Sequence, residues 1–125
     1  MNNTEAVATP LVVVGTDGSE HGDRAVARAA TEAAGTGARL RVVHALRVAE
    51  SVPGFETIDP GDDVRAAAAH VVEVAAKAAL ERHPHLAVEG RVEFGAPADV
   101  LLDASREAAL LVTGSRGRGG FAGLL

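Results

Sequence analysis

The stretch Leu11-Val12-Val13-Val14-Gly15-Thr16-Asp17-Gly18-Ser19 decides the fold class. Its aliphatic run is apolar at both alternating sets of positions, which predicts a strand buried on both faces. Thr16-Asp17-Gly18 has the chemistry of a tight turn. Ser19 is a good helix N-cap, and Glu20 and Asp23 follow in the first turn, where the helix dipole favours acids. A buried strand thus passes through a short turn straight into a helix. That helix is expected to run to about Ala34, ended by Gly35 and Gly37.

The same order repeats along the chain. Leu40 to Ala45 is a second buried strand. Residues 47–60 form a loop broken by Pro53-Gly54 and Asp59-Pro60-Gly61. Asp62 or Asp63 caps a long Ala/Val helix that lasts to about Arg82, before Pro84. Ala87 to Phe94 alternates as a strand does. Gly95-Ala96-Pro97 opens a third helix, with proline where the first turn tolerates it, ending near Glu107. Leu110 to Thr113 is a fourth buried strand. Strands alternating with helices predict an α/β fold: an open parallel β-sheet with helices on both faces, Rossmann-like. Residues 1–125 read as a single domain with a flexible segment at 1–9. A further helix and strand are expected after the fourth strand, and the sequence given does not include them.

Composition narrows the function classes. The chain has 47% hydrophobic residues, with three Phe and no Tyr or Trp. Small aliphatic side chains suit helices lying close on a sheet and do not make stacking platforms for single-stranded nucleic acid. A formal net charge of −5 gives no general attraction to nucleic acid or anionic membrane. Cysteine is absent, which excludes disulfides and thiolate chemistry. No signal-like N-terminus or membrane-length apolar run is present, so the expected location is cytoplasmic.

In open parallel sheets, ligands bind beyond the carboxyl ends of the strands, where the strand order reverses. The Gly15–Ser19 turn and the loop Gly114-Ser115-Arg116-Gly117-Arg118-Gly119-Gly120 both follow such ends. If the first and fourth strands are neighbours, the two loops face one crevice. Glycines let backbone N–H groups approach phosphates, and arginine adds charge-assisted contacts to phosphate oxygens. The loop is not a Walker A motif, and no Rossmann glycine fingerprint follows the first strand. For Asp17, an acceptor for nucleoside donors competes with a turn former. Ser19 is a cap rather than a nucleophile. The five histidines, His21, His44, His70, His83 and His85, include no i, i+4 pair of the metal-binding kind. His44, ending a buried strand, reads as a hydrogen-bonded core residue.

Taken together, Val12-Val13-Val14-Gly15-Thr16-Asp17-Gly18-Ser19, Val42-Val43-His44-Ala45, Gly95-Ala96-Pro97 and Val112-Thr113-Gly114-Ser115-Arg116-Gly117-Arg118-Gly119-Gly120-Phe121 resemble the universal stress protein family. The resemblance covers Leu11 to Leu125. ATP-binding members carry Gly-x2-Gly-x9-Gly-Ser/Thr after the fourth strand. Gly114 and Gly117 match its first two glycines, and the third would fall two positions past Leu125. The resemblance implies an adenine-nucleotide site built from Gly15, Thr16, Asp17, Ala45, Gly114, Ser115, Arg116 and Gly117. Asp17 would contact the nucleoside and the backbone of Ala45 the adenine. ATP, with Mg²⁺ as a companion ion, is the implied cofactor, and the complete protein is implied to be a homodimer.

No general base, nucleophile and oxyanion donors can be assembled from the sequence, so any ATP hydrolysis is expected to be slow and incidental. The expectation is an ATP-binding stress-response regulatory protein. One alternative is a dimeric interaction module of the same family that holds no nucleotide. Another is a nucleotide-activating enzyme on a similar sheet. The turn after the first strand is short for the phosphate loop such an enzyme needs.

Overall fold

A computed structural model describes residues 9–47 and 60–114. The elements are β1 (Leu11–Gly15), α1 (Glu20–Thr36), β2 (Arg39–Leu46), α2 (Asp62–Arg82), β3 (Val88–Phe94), α3 (Pro97–Ser105) and β4 (Leu110–Val112). They alternate as the sequence predicts. The four strands form one sheet in the order β3-β2-β1-β4, and every pairing is parallel. The chain steps from β1 out to β3, then returns across the sheet to place β4 on the free side of β1.

Strand periodicity decides which face each helix covers. Val12 and Val14 of β1 pack with Leu40 and Val42 of β2 beneath α1 and α2. The intervening Leu11 and Val13 pack with Val43 beneath Leu101 of α3. All five residues of β1 are buried, as expected of a strand covered twice. The buried stripe of α1 comprises Gly22, Ala25, Val26, Ala29, Ala30 and Ala33, at helical spacing. In α2 the stripe is Ala68, Val72, Ala75 and Ala79. These small side chains set both helices close to the sheet, as the composition implied.

Three local expectations change. Gly35 lies inside α1, and the helix stops at Gly37, which takes the left-handed conformation at φ 73°. The N-cap of α2 is Gly61, with no side-chain capping bond, and Asp62 is the first helical residue. The fourth strand is not buried: Leu110 is 40% exposed, and Leu111 and Val112 are half-buried. Among the described residues β4 pairs only with β1, so one of its edges is open.

Candidate functional site

Parallel pairing of β1 with β4, with Val14 opposite Val112, brings two carboxyl ends side by side. Thr16 and Gly114 follow by two residues each. The strand order reverses here, since β1 leads to α1 on one face while β4 is reached through α3 on the other. This is the position where open α/β sheets place ligands.

The turn after β1 is held by its own side chains. The Gly18 N–H donates to Thr16 Oγ1 at 3.1 Å, and the Ser19 N–H donates to Asp17 Oδ1 at 2.9 Å. The Gly22 N–H donates to Ser19 Oγ at 3.2 Å, which makes Ser19 the N-cap of α1. Thr16 is 2% exposed, and its N–H donates to the Val43 carbonyl at 2.9 Å. Gly15 is buried in β1. Gly15 and Thr16 therefore lie under the turn and position it, while Asp17 reaches the surface.

Asp17 and Ala45 line one groove of about 560 Å³, a volume in the range of small-molecule sites. Its polar wall also includes His44 and Arg47. Its apolar wall is the first half of α2, through Val64, Ala67, Ala68 and Val71, and Leu46 and Pro97 complete the lining. Sequence reasoning passed over the α2 wall. The i, i+3, i+4, i+7 spacing from Val64 to Val71 marks one face of that helix and was the available signal. His44 is a hydrogen-bonded residue, as expected, with Nδ1 2.8 Å from the Thr16 carbonyl oxygen. It is half-buried and also faces the groove.

Gly114 lies on the other side of the first turn of α1. A Cβ added there would come within 3.1 Å of the His21 carbonyl oxygen, so the backbone passes directly over the helix N-terminus. It lines a separate open cleft with His21, Arg24 and Arg28. Gly22 links the two regions, because a Cβ at that position would run into Thr16 and Asp17. The structure thus brings Asp17 and Ala45 into one groove and sets Gly114 across the first turn of α1 from Asp17. Ser115, Arg116 and Gly117 lie outside the described residues. Among the described residues, no group of three or more His, Cys, Asp or Glu could hold a metal ion, and no helix is long and apolar enough to cross a membrane.

A profile of the universal stress protein family matches residues 11–125. Universal stress protein Rv2623 of Mycobacterium tuberculosis is 36% identical over 121 residues, covering 91% of this chain and 38% of that protein. The chain therefore spans well under half the length of that relative. A universal stress protein of Thermus aquaticus is 34% identical, covering 86% of this chain and 78% of its own length. Among solved structures, a universal stress protein in complex with cAMP superposes with a TM-score of 0.63 at 33% identity, covering 84% of this chain and 72% of the other.

Proposed function

This chain belongs to the universal stress protein family, and from that premise we propose that it is an adenine-nucleotide-binding regulatory domain. The observation that carries the proposal is the shared groove of Asp17 and Ala45 beyond the carboxyl ends of β1 and β2, next to the β1–β4 reversal point. The apolar face of α2 suits a flat purine, and Asp17 supplies an acceptor for nucleoside donors. The solved relative at 33% identity holds cAMP, which supports an adenine ligand. The proposed ligand is ATP, with Mg²⁺ bound through its phosphates. Its phosphates would extend past Gly114 toward Ser115, Arg116 and Gly117. The proposed setting is the cytoplasm, and the proposed assembly is a homodimer.

Calorimetry with ATP and with cAMP tests this. Saturable binding is expected, weakened about tenfold or more in Asp17→Asn. That variant keeps an oxygen to accept the Ser19 N–H and removes the charge, so a changed turn does not confuse the result. Undetectable binding at millimolar nucleotide, or equal binding by the variant, rejects the proposal. One observation favours the interaction module instead: Asp17 Oδ1 already accepts a hydrogen bond within its own turn. A stable dimer indifferent to nucleotide selects that alternative.

A further inference from the structure

We infer that His44 reads the nucleoside, using Nε2 as a fixed hydrogen-bond acceptor. The inference rests on the nucleotide-binding proposal above and assigns a specificity role within the same groove. His44 sits near the end of β2, and its Nδ1 is 2.8 Å from the main-chain carbonyl oxygen of Thr16. A carbonyl oxygen can only accept, so Nδ1 carries the proton. In the neutral ring Nε2 is then left as an acceptor. Among the described residues no side chain or backbone group donates to Nε2. His44 lines the groove together with Asp17, Ala45 and the apolar residues of α2.

The tautomer is therefore set by the fold of β1 rather than by the ligand. Thr16 cannot shift to release it, because its own N–H is bound to Val43 and its side chain is buried. Asp17 and His44 line the same groove, so its lining carries two acceptor-bearing side chains, the Asp17 carboxylate and the His44 imidazole. A ligand that presents donors there is matched. The exocyclic amine of adenine and the ribose hydroxyls are such donors. A 6-oxo purine presents an acceptor in place of the amine and leaves an acceptor facing an acceptor. A site built around a hydrogen bond discriminates against the analogue that cannot make it.

The test uses ATP, inosine triphosphate, 2′-deoxy-ATP and 3′-deoxy-ATP, each titrated into the wild-type chain and His44→Leu. Wild type is expected to favour ATP over at least one analogue by about tenfold, the worth of one well-made hydrogen bond. Loss against inosine triphosphate assigns the amine as the donor, and loss against a deoxy analogue assigns a hydroxyl. His44→Leu is expected to erase that preference while still binding. Equal binding of all four by wild type overturns the inference and leaves nucleotide binding intact. Failure of all four to bind removes both. Nitrogen-15 spectra of the imidazole in the ligand-free protein give a readout that does not depend on the variant folding. The proton is expected on Nδ1, and a proton on Nε2 overturns the assignment.

Discussion

Gly22 and Gly35 lie in the same helix, yet replacing each with alanine should move stability in opposite directions. Alanine is favoured over glycine inside a helix by about 1 kcal/mol. At Gly35 a new Cβ meets nothing within 4 Å, so Gly35→Ala should stabilise the chain by a few tenths to about 1 kcal/mol. At Gly22 the same Cβ would collide with Thr16 Oγ1 and lie 3.2 Å from the Asp17 backbone nitrogen. Overpacking costs roughly 1–3 kcal/mol, which outweighs the propensity gain. Thr16 cannot turn away cheaply, because its hydroxyl accepts the Gly18 N–H. Gly22→Ala should therefore lower the urea midpoint and Gly35→Ala raise it. A rise for both would show that the turn yields and does not grip the helix. The sequence alone did not separate these glycines. What distinguishes them is the distance to a turn that the chain has just left, and that distance exists only after folding.

At the scale of an element, α1 is the part against which the turn after β1 and Gly114 both rest. Its first turn touches Thr16 and Asp17 on one side and Gly114 on the other. Ser19 ends the turn after β1 and starts this helix, accepting the Gly22 N–H. Ser19→Ala should cost about 1 kcal/mol, seen as a fall of several degrees in Tm. Ser19→Asp should recover most of it, since aspartate caps as well and favours the helix dipole. If alanine costs nothing, the turn is held by Asp17 and Thr16 without the cap. Elements whose signals are local were legible in the sequence: the β1 run, the Ser19 cap, and Pro97 at the start of α3. The start of α2 was less so. Gly61, at φ 90°, enters that helix without a side-chain cap, so the aspartates beside it suggested a bond that is not made. The burial expected for β4 failed for a different reason. Apolar residues predict a strand, but its exposure depends on what lies beside it, and among the described residues only β1 pairs with β4.

At the scale of the whole molecule, strand order was legible only as a condition, that β1 and β4 be neighbours. Asp17 could be named from its place after β1, whereas Ala45 entered the site only through the family resemblance. The groove itself needed the return of the chain and the packing of α2. Arg41 makes the same point more sharply. It stands in a strand predicted buried, and it is buried, at 5% exposure. Its partners are 48 and 66 residues away: Glu89 Oε1, which accepts from Nε at 2.6 Å, and Glu107 Oε1, which accepts from Nη1 at 3.5 Å. The cluster ties β2 to β3 and to the segment after α3. Arg91 Nε lies 3.5 Å from the second Glu89 oxygen, so two guanidinium groups face that carboxylate.

The Arg41 hydrogen bond holds the Glu89 pKa below the ordinary glutamate value. Burial opposes the shift, and the charges of Arg41 and Arg91 reinforce it. A carboxylate whose pKa is depressed by folding contributes stability above its unfolded pKa of about 4.3, and that contribution is lost as pH falls through the folded value. Glu89→Gln keeps an oxygen to accept from Arg41 and removes the charge. The variant should be less stable than wild type at pH 7, and the gap should narrow as pH falls below the unfolded value of about 4.3 and close once pH has passed through the lower folded value, where the wild-type carboxylate is protonated as well. Urea unfolding of both proteins across this range checks it. A gap of constant size would mean that Glu89 acts through shape and hydrogen bonding alone. A gap that closes would identify charge as the tie between β3 and its neighbour β2. β3 relies on such a tie because Glu89, Arg91 and Glu93, at alternate positions along the strand, contribute little apolar burial to hold it in register.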